Sequence, residues 1–125
     1  NCSIIEVVTS FPRTKQHSEG YATRKICIKD NTILITDSIS KGASIESIFI
    51  LSPKMNLLKT TTKDRYLFIS PKGSVVEFRT HELSRFFLDK IEISKSYGTL
   101  QSAFRLRAVS DRTNELILMI SRRDD

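Results

Sequence analysis

Short runs of β-branched and aromatic residues, each closed by a turn signal, repeat along this chain and restrict it to a strand-dominated fold. Ser3-Ile4-Ile5-Glu6-Val7-Val8 is the first, followed by a polar loop from Phe11-Pro12 to Gly20 that carries Arg13, Lys15 and His17. Arg24 to Lys29 and Thr32 to Thr36 flank Asp30-Asn31, a two-residue link suited to a type I′ hairpin because both residues tolerate positive φ. Ile45 to Leu51 predicts another strand, whereas Met55 to Thr62 fits a short strand or a loop equally well. A second hairpin is expected from Arg65 to Arg79: Pro71 presets φ in the turn and Gly73 supplies a left-handed residue.

The run after Thr80 reads differently. Thr80 can cap a helix, Glu82 lies near its positive end, and Leu83, Phe86, Phe87, Lys90 and Ile91 follow the spacing of one buried helical face. The pattern predicts one helix over about 80–93, ended by Tyr97-Gly98. Ala103 to Val109 then alternates Phe104, Leu106 and Ala108 with Arg105 and Arg107, and Glu115 to Ile120 follows a polar turn, which together predict a C-terminal hairpin.

The expected fold class is therefore α+β: a curved antiparallel sheet or partly closed β-barrel with one helix and a hairpin behind it. The element order up to the helix resembles that of pleckstrin-homology-like barrels. From Ile45 onward it resembles the five-stranded oligonucleotide-binding barrel instead. Both likenesses are of element order, without a shared motif.

A chain of 125 residues, 39% hydrophobic and 27% charged, suits a single domain over 1–125. Its start at Asn1 and its end at Asp125 lead us to expect a piece of a longer protein. No apolar run approaches the ~20 residues of a spanning helix, and Asn1-Cys2-Ser3 lacks the form of a signal peptide. Cys2 and Cys27 lack metal-site spacing, so two free thiols and an intracellular setting, cytoplasmic or nuclear, are expected. A disulfide between the two would instead imply secretion.

Catalytic patterns are weak. His17 and His81 have no G-x-S-x-G serine to pair with, and Gly20, Gly42, Gly73 and Gly98 are too scattered to cradle a phosphate. Asp64 with Glu77-Phe78-Arg79 resembles the Mg²⁺-binding pattern of PD-(D/E)xK nucleases, with Arg79 standing where those enzymes place a Lys. Arg cannot readily give up its proton, so a divergent Mg-dependent nuclease is a minor alternative. No cofactor and no small-molecule substrate are inferred.

Twenty Lys and Arg against fourteen Asp and Glu give a net charge of +6, which favours anionic partners. One basic group comprises Arg13, Lys15, Arg24, Lys25 and Lys29, where pleckstrin-homology-like barrels carry phosphoinositide ligands. The paired basic spacing of those domains fails at Ile26 and Cys27. A second group, Arg105 and Arg107 with Arg112 and the terminal Arg122-Arg123, could track nucleic-acid phosphates, with Tyr66 and Tyr97 as stacking candidates. The leading expectation is a non-catalytic interaction or scaffold domain with a protein partner, since docking on a sheet edge leaves no motif. A nucleic-acid-binding barrel is the alternative, and membrane phosphoinositide ranks below it.

Overall fold

A computed structural model describes residues 3–11, 20–42, 44–81, 84–111 and 113–123. They form ten strands: β1 (Ser3–Phe11), β2 (Gly20–Lys29), β3 (Thr32–Ile39), β4 (Ile45–Ile50), β5 (Asn56–Thr62), β6 (Arg65–Ile69), β7 (Val75–Thr80), β8 (Ser84–Ser96), β9 (Thr99–Ser110) and β10 (Glu115–Arg123). Seven make one antiparallel sheet in the order β1-β2-β3-β10-β7-β6-β5, and three make a second in the order β4-β9-β8. Among the described residues there is no helix and no closed barrel, so the architecture is all-β with two sheets rather than α+β.

The segment expected to be helical is strand β8. It pairs with β9 in a continuous ladder from Ser84 opposite Ser110 to Ser96 opposite Thr99, with one register shift near the turn. Helical spacing and strand alternation overlap here, because Phe86 and Leu88 satisfy a period of two while Phe86, Phe87 and Ile91 approximate a helical face. Phe and Ile gain more on a pleated surface than in a helix, and a twelve-residue partner strand decides the matter. Thr80 caps no helix: its amide donates to Asp64 O (2.9 Å) and its hydroxyl to Ile117 O (2.9 Å). Glu82 and Leu83 lie outside the described residues. Gly98 closes the β8–β9 turn with φ of 78°, a left-handed conformation that a side chain disfavours.

The C-terminal hairpin is also corrected. β9 and β10 belong to different sheets, and the intervening link carries the chain from one layer to the other. The barrel resemblances fall with these two corrections. The Asp30-Asn31 and Pro71-Gly73 hairpins do form, as β2–β3 and β6–β7. In the first, Asp30 takes φ of 53° while Asn31 stays out of the positive region, which is half of a type I′ turn. Met55 to Thr62 resolves as strand β5. Cys27 is disulfide-bonded, which corrects the expectation of free thiols; the chain's other cysteine, Cys2, lies outside the described residues.

The core lies between the sheets. Ile35 (β3), Phe68 (β6), Phe78 (β7), Leu116 and Leu118 (β10) face Ile45 (β4), Phe86 (β8), Leu106 and Ala108 (β9). Phe68 meets Phe78 and Phe104 edge-on, at centroid distances of 5.3 and 5.7 Å. β10 is the structural centre: it enters between β3 and β7 and joins the β1-β2-β3 meander to the β5-β6-β7 meander. Leu118→Ala, at a fully buried position of β10, is expected to cost about 3 kcal/mol in urea unfolding. Met119→Ala, on the opposite face of the same strand, should cost less than about 1 kcal/mol.

Candidate functional site

Seven strands against three leave part of the larger sheet without a covering layer. β4 approaches β3 and β10, β9 approaches β10, and β8 approaches β7. The register places Val7 opposite Arg24 and Ile5 opposite Ile26, and then Arg24 opposite Asp37 and Ile26 opposite the core residue Ile35. Val7 and Ile5 therefore lie on the core-side face of the sheet, yet both are more than half exposed. Ile4 and Val8, on the other face of β1, are equally open. The result is an apolar wing, formed by β1 along the edge of β2, that projects past the smaller sheet.

A groove of about 510 Å³ runs between this wing and β4, with Val7, Ala22, Ile39, Ile45 and Ile48 among its lining. Its polar floor is a partly buried relay. Arg24 Nε and Nη2 donate to the two oxygens of Asp37, each at 2.8 Å, and Ser47 Oγ of the smaller sheet donates to Asp37 Oδ2 at 2.5 Å. These hydrogen bonds, opposed in part by burial, hold the Arg24 guanidinium more firmly protonated than usual. Arg24 also lies over the Phe49 ring, 4.9 Å from its centroid. Both Asp37 oxygens are occupied and Ser47 is buried, so the trio fastens one sheet to the other and offers no nucleophile.

The outer face of the smaller sheet holds the second basic group, now with partners. Arg105 Nε and Nη2 donate to Asp89 at 3.0 and 2.5 Å, Arg107 lies 3.5 Å from Glu46, and Arg85 lies 3.0 Å from Asp111. Arg85 and Arg107 both stand over Phe87, each 5.2 Å from its centroid. Among the described residues, each arginine of this face thus has its own carboxylate, which weakens it as a track for phosphates. Tyr66 is no stacking platform either, since its ring packs on Phe86 and Phe68 and burial raises its pKa. Tyr97, by contrast, is fully exposed at the β8–β9 turn.

The outward face of the larger sheet differs. Glu77, 8% exposed, takes contacts from Arg65 on β6, from Arg79 at 3.4 Å on its own strand, and from Arg123 at 3.9 Å on β10. Guanidinium groups therefore occupy the carboxylate that a nuclease would turn toward Mg²⁺. Sequence reading missed this cluster because its members come from three strands, one of them far away in the chain. Lys25 and Lys29 are exposed on the same face, while Arg13, Lys15 and Arg112 lie outside the described residues. A Ser–His pair also escaped notice: Ser84 Oγ lies 2.9 Å from His81 Nε2. Ser84 is 3% exposed, which leaves its hydroxyl no access to a substrate.

No family model matches the chain, and no curated protein matches it. Among solved structures it is similar to the heparan sulfate lyase HepC from Pedobacter heparinus, with a TM-score of 0.73 and 12% identity. The similarity covers 98% of this chain and 20% of that chain, so the present chain spans about a fifth of the lyase's length. At this identity the likeness is one of fold.

Two measurements check the polar contacts. Asp37→Ala strands the partly buried Arg24 and removes the bond to Ser47, and is expected to cost about 2–3 kcal/mol in chemical unfolding; Ser47→Ala should cost about 1 kcal/mol. Asp89 is held below its ordinary carboxyl value near 3.8, chiefly by the hydrogen bonds from Arg105 and then by nearby positive charge. A carboxyl depressed on folding contributes stability that is complete above that ordinary value and is lost as pH falls through the lower folded value. Asp89→Asn should therefore lower stability at neutral pH and converge with the wild type in strong acid.

Proposed function

We propose that this chain is a non-catalytic β-sandwich interaction module that docks against the catalytic domain of a larger polysaccharide-acting enzyme. The observation that carries the reading is the uncovered β1–β2 wing, where Ile5 and Val7 continue the core-side face of the sheet into solvent. Apolar surface of this kind is stabilised by burial, at roughly 25 cal/mol per Å² removed from water. A strand edge as long and apolar as β1 also invites a covering partner.

The likeness to about a fifth of a heparan sulfate lyase supports the choice of occupant, because it supplies a setting in which a sandwich of this shape accompanies a much longer chain. The groove chemistry agrees with docking rather than turnover, since the Arg24–Asp37–Ser47 relay is consumed by its own hydrogen bonds. The disulfide at Cys27 fits an oxidising compartment better than the intracellular setting expected from sequence.

The 125-residue chain incubated with heparan sulfate should release no unsaturated uronide, read by ultraviolet absorbance. Hydrogen exchange of β1 and β2 should be slower in the longer natural polypeptide than in the isolated chain, and Val7→Asp should abolish the difference. Cleavage by the isolated chain would overturn the non-catalytic reading. Equal exchange of the wing in both contexts would overturn the docking surface.

A further inference from the structure

The smaller sheet steps across the larger one strand for strand. β8 approaches β7, β9 approaches β10, and β4 approaches β10 and β3, so the next position beyond β4 falls against β2, beneath the β1–β2 wing. Among the described residues that position holds no strand, and the groove beside β4 occupies it. The lining shows which part of each element faces the groove. Val7 and Thr9 of β1 line it at a spacing of two, as one face of a strand does, whereas Ile45, Glu46, Ser47 and Ile48 of β4 line it consecutively. Successive residues of a strand point to opposite faces, so what these four share is the backbone edge of β4.

The four sheet edges are not alike. β5 has two register shifts against β6, while β8 donates the Phe86 amide to Lys63 O at 2.7 Å and carries Arg85, Asp89, Lys90 and Glu92. Bulges and charges of this kind discourage an edge from pairing further. β4 and β1 run without a register shift against their neighbours, contain neither Pro nor Lys, and hold one carboxylate each, Glu46 and Glu6. The two least guarded edges are therefore the two that border the overhang.

We propose that the groove takes an extended segment of the longer polypeptide as a fourth strand of the smaller sheet, hydrogen-bonded to the edge of β4 and packed beneath β1 and β2. This rests on the docking reading above and names its mode. A strand meets both demands of the site: its backbone supplies donors and acceptors to β4, and its alternate side chains reach the wing across the usual sheet spacing of about 10 Å. A helix uses its backbone groups internally and would leave the edge of β4 unpaired. Charge sets the composition of the segment. Arg24 is matched by Asp37 and Glu46 by Arg107, so these charges of the groove are compensated and the inward residues of the segment should be apolar. Its outward residues would lie beside Ile48 and Ile50 of β4, both more than half exposed. A segment of the same polypeptide also reaches the site at high effective concentration, an advantage that a separate second copy lacks.

The test is amide exchange followed residue by residue in the 125-residue chain and in the longer natural polypeptide. Every second amide of β4 should exchange at least about tenfold more slowly in the longer polypeptide, because only alternate N–H groups of a strand point to one edge. Ala22→Phe, which fills the groove from β2, should return those amides to the rate of the isolated chain. Its unfolding midpoint is read alongside, and Thr9→Arg, at an exposed lining position, gives an independent loss of protection. Lys25→Ala, on the other face of β2, should leave the protection in place. Unchanged protection of β4 in both groove variants would overturn the site. Protection of β1 and β2 without protection of β4 would overturn strand addition and leave the docking reading standing, whereas no protection of either would overturn both. Sedimentation of the isolated chain tests the other occupant: a dimer in which β4 is protected would assign the groove to a second copy and overturn the proposal.

Discussion

The insertion of β10 between β3 and β7 is the constraint on which the rest of the structure depends. Without it the chain holds two antiparallel meanders, β1-β2-β3 and β5-β6-β7, each able to form locally and neither able to bury a face by itself. β10 supplies ladder hydrogen bonds to both and brings Leu116 and Leu118 under the smaller sheet, with no exposure at either residue. The tenth strand in sequence order is thus the central strand of the larger sheet. Such non-local pairing must overcome loop-closure entropy before it is rewarded.

Once β10 is in place, the sheets are locked by unlike means. Aromatic packing around Phe68 fills the middle. Toward the wing, the Arg24–Asp37–Ser47 relay crosses from one sheet to the other, and its directional hydrogen bonds set the register of β4 over β3 in a way that apolar contact does not. A buried carboxylate costs desolvation energy, and this one is compensated by a bidentate guanidinium and a hydroxyl donor. Specificity of alignment is what the arrangement contributes.

Unequal sheets then leave unlike surfaces. Three strands cannot cover seven, so the β1–β2 wing keeps an apolar face and the groove beside β4 remains open. On the outer face of the smaller sheet Arg85, Arg105 and Arg107 each face a carboxylate, whereas on the larger sheet the buried Glu77 gathers Arg65, Arg79 and Arg123 from three strands.

Local features were legible from sequence because they depend on neighbours in the chain. The runs at Ile4 to Val8, Thr32 to Thr36 and Ala103 to Val109, the turns at Asp30-Asn31 and Pro71-Gly73, and the alternation of Phe104 and Leu106 with Arg105 and Arg107 all survive in the fold. Thr80 to Ile93 did not, because Phe86, Phe87 and Ile91 satisfy helical spacing while the competing pattern of period two needs a partner strand to win. The sites were less visible still. Arg24 and Asp37 meet across a hairpin, Ser47 joins them from the other sheet, and Arg65, Glu77 and Arg123 gather because β10 lies beside β7. The sequence by itself determined that this chain would be built of strands and where most would turn; tertiary structure alone decided which strands are neighbours, and therefore which charges face one another, because strand pairing brings together residues that no local pattern connects.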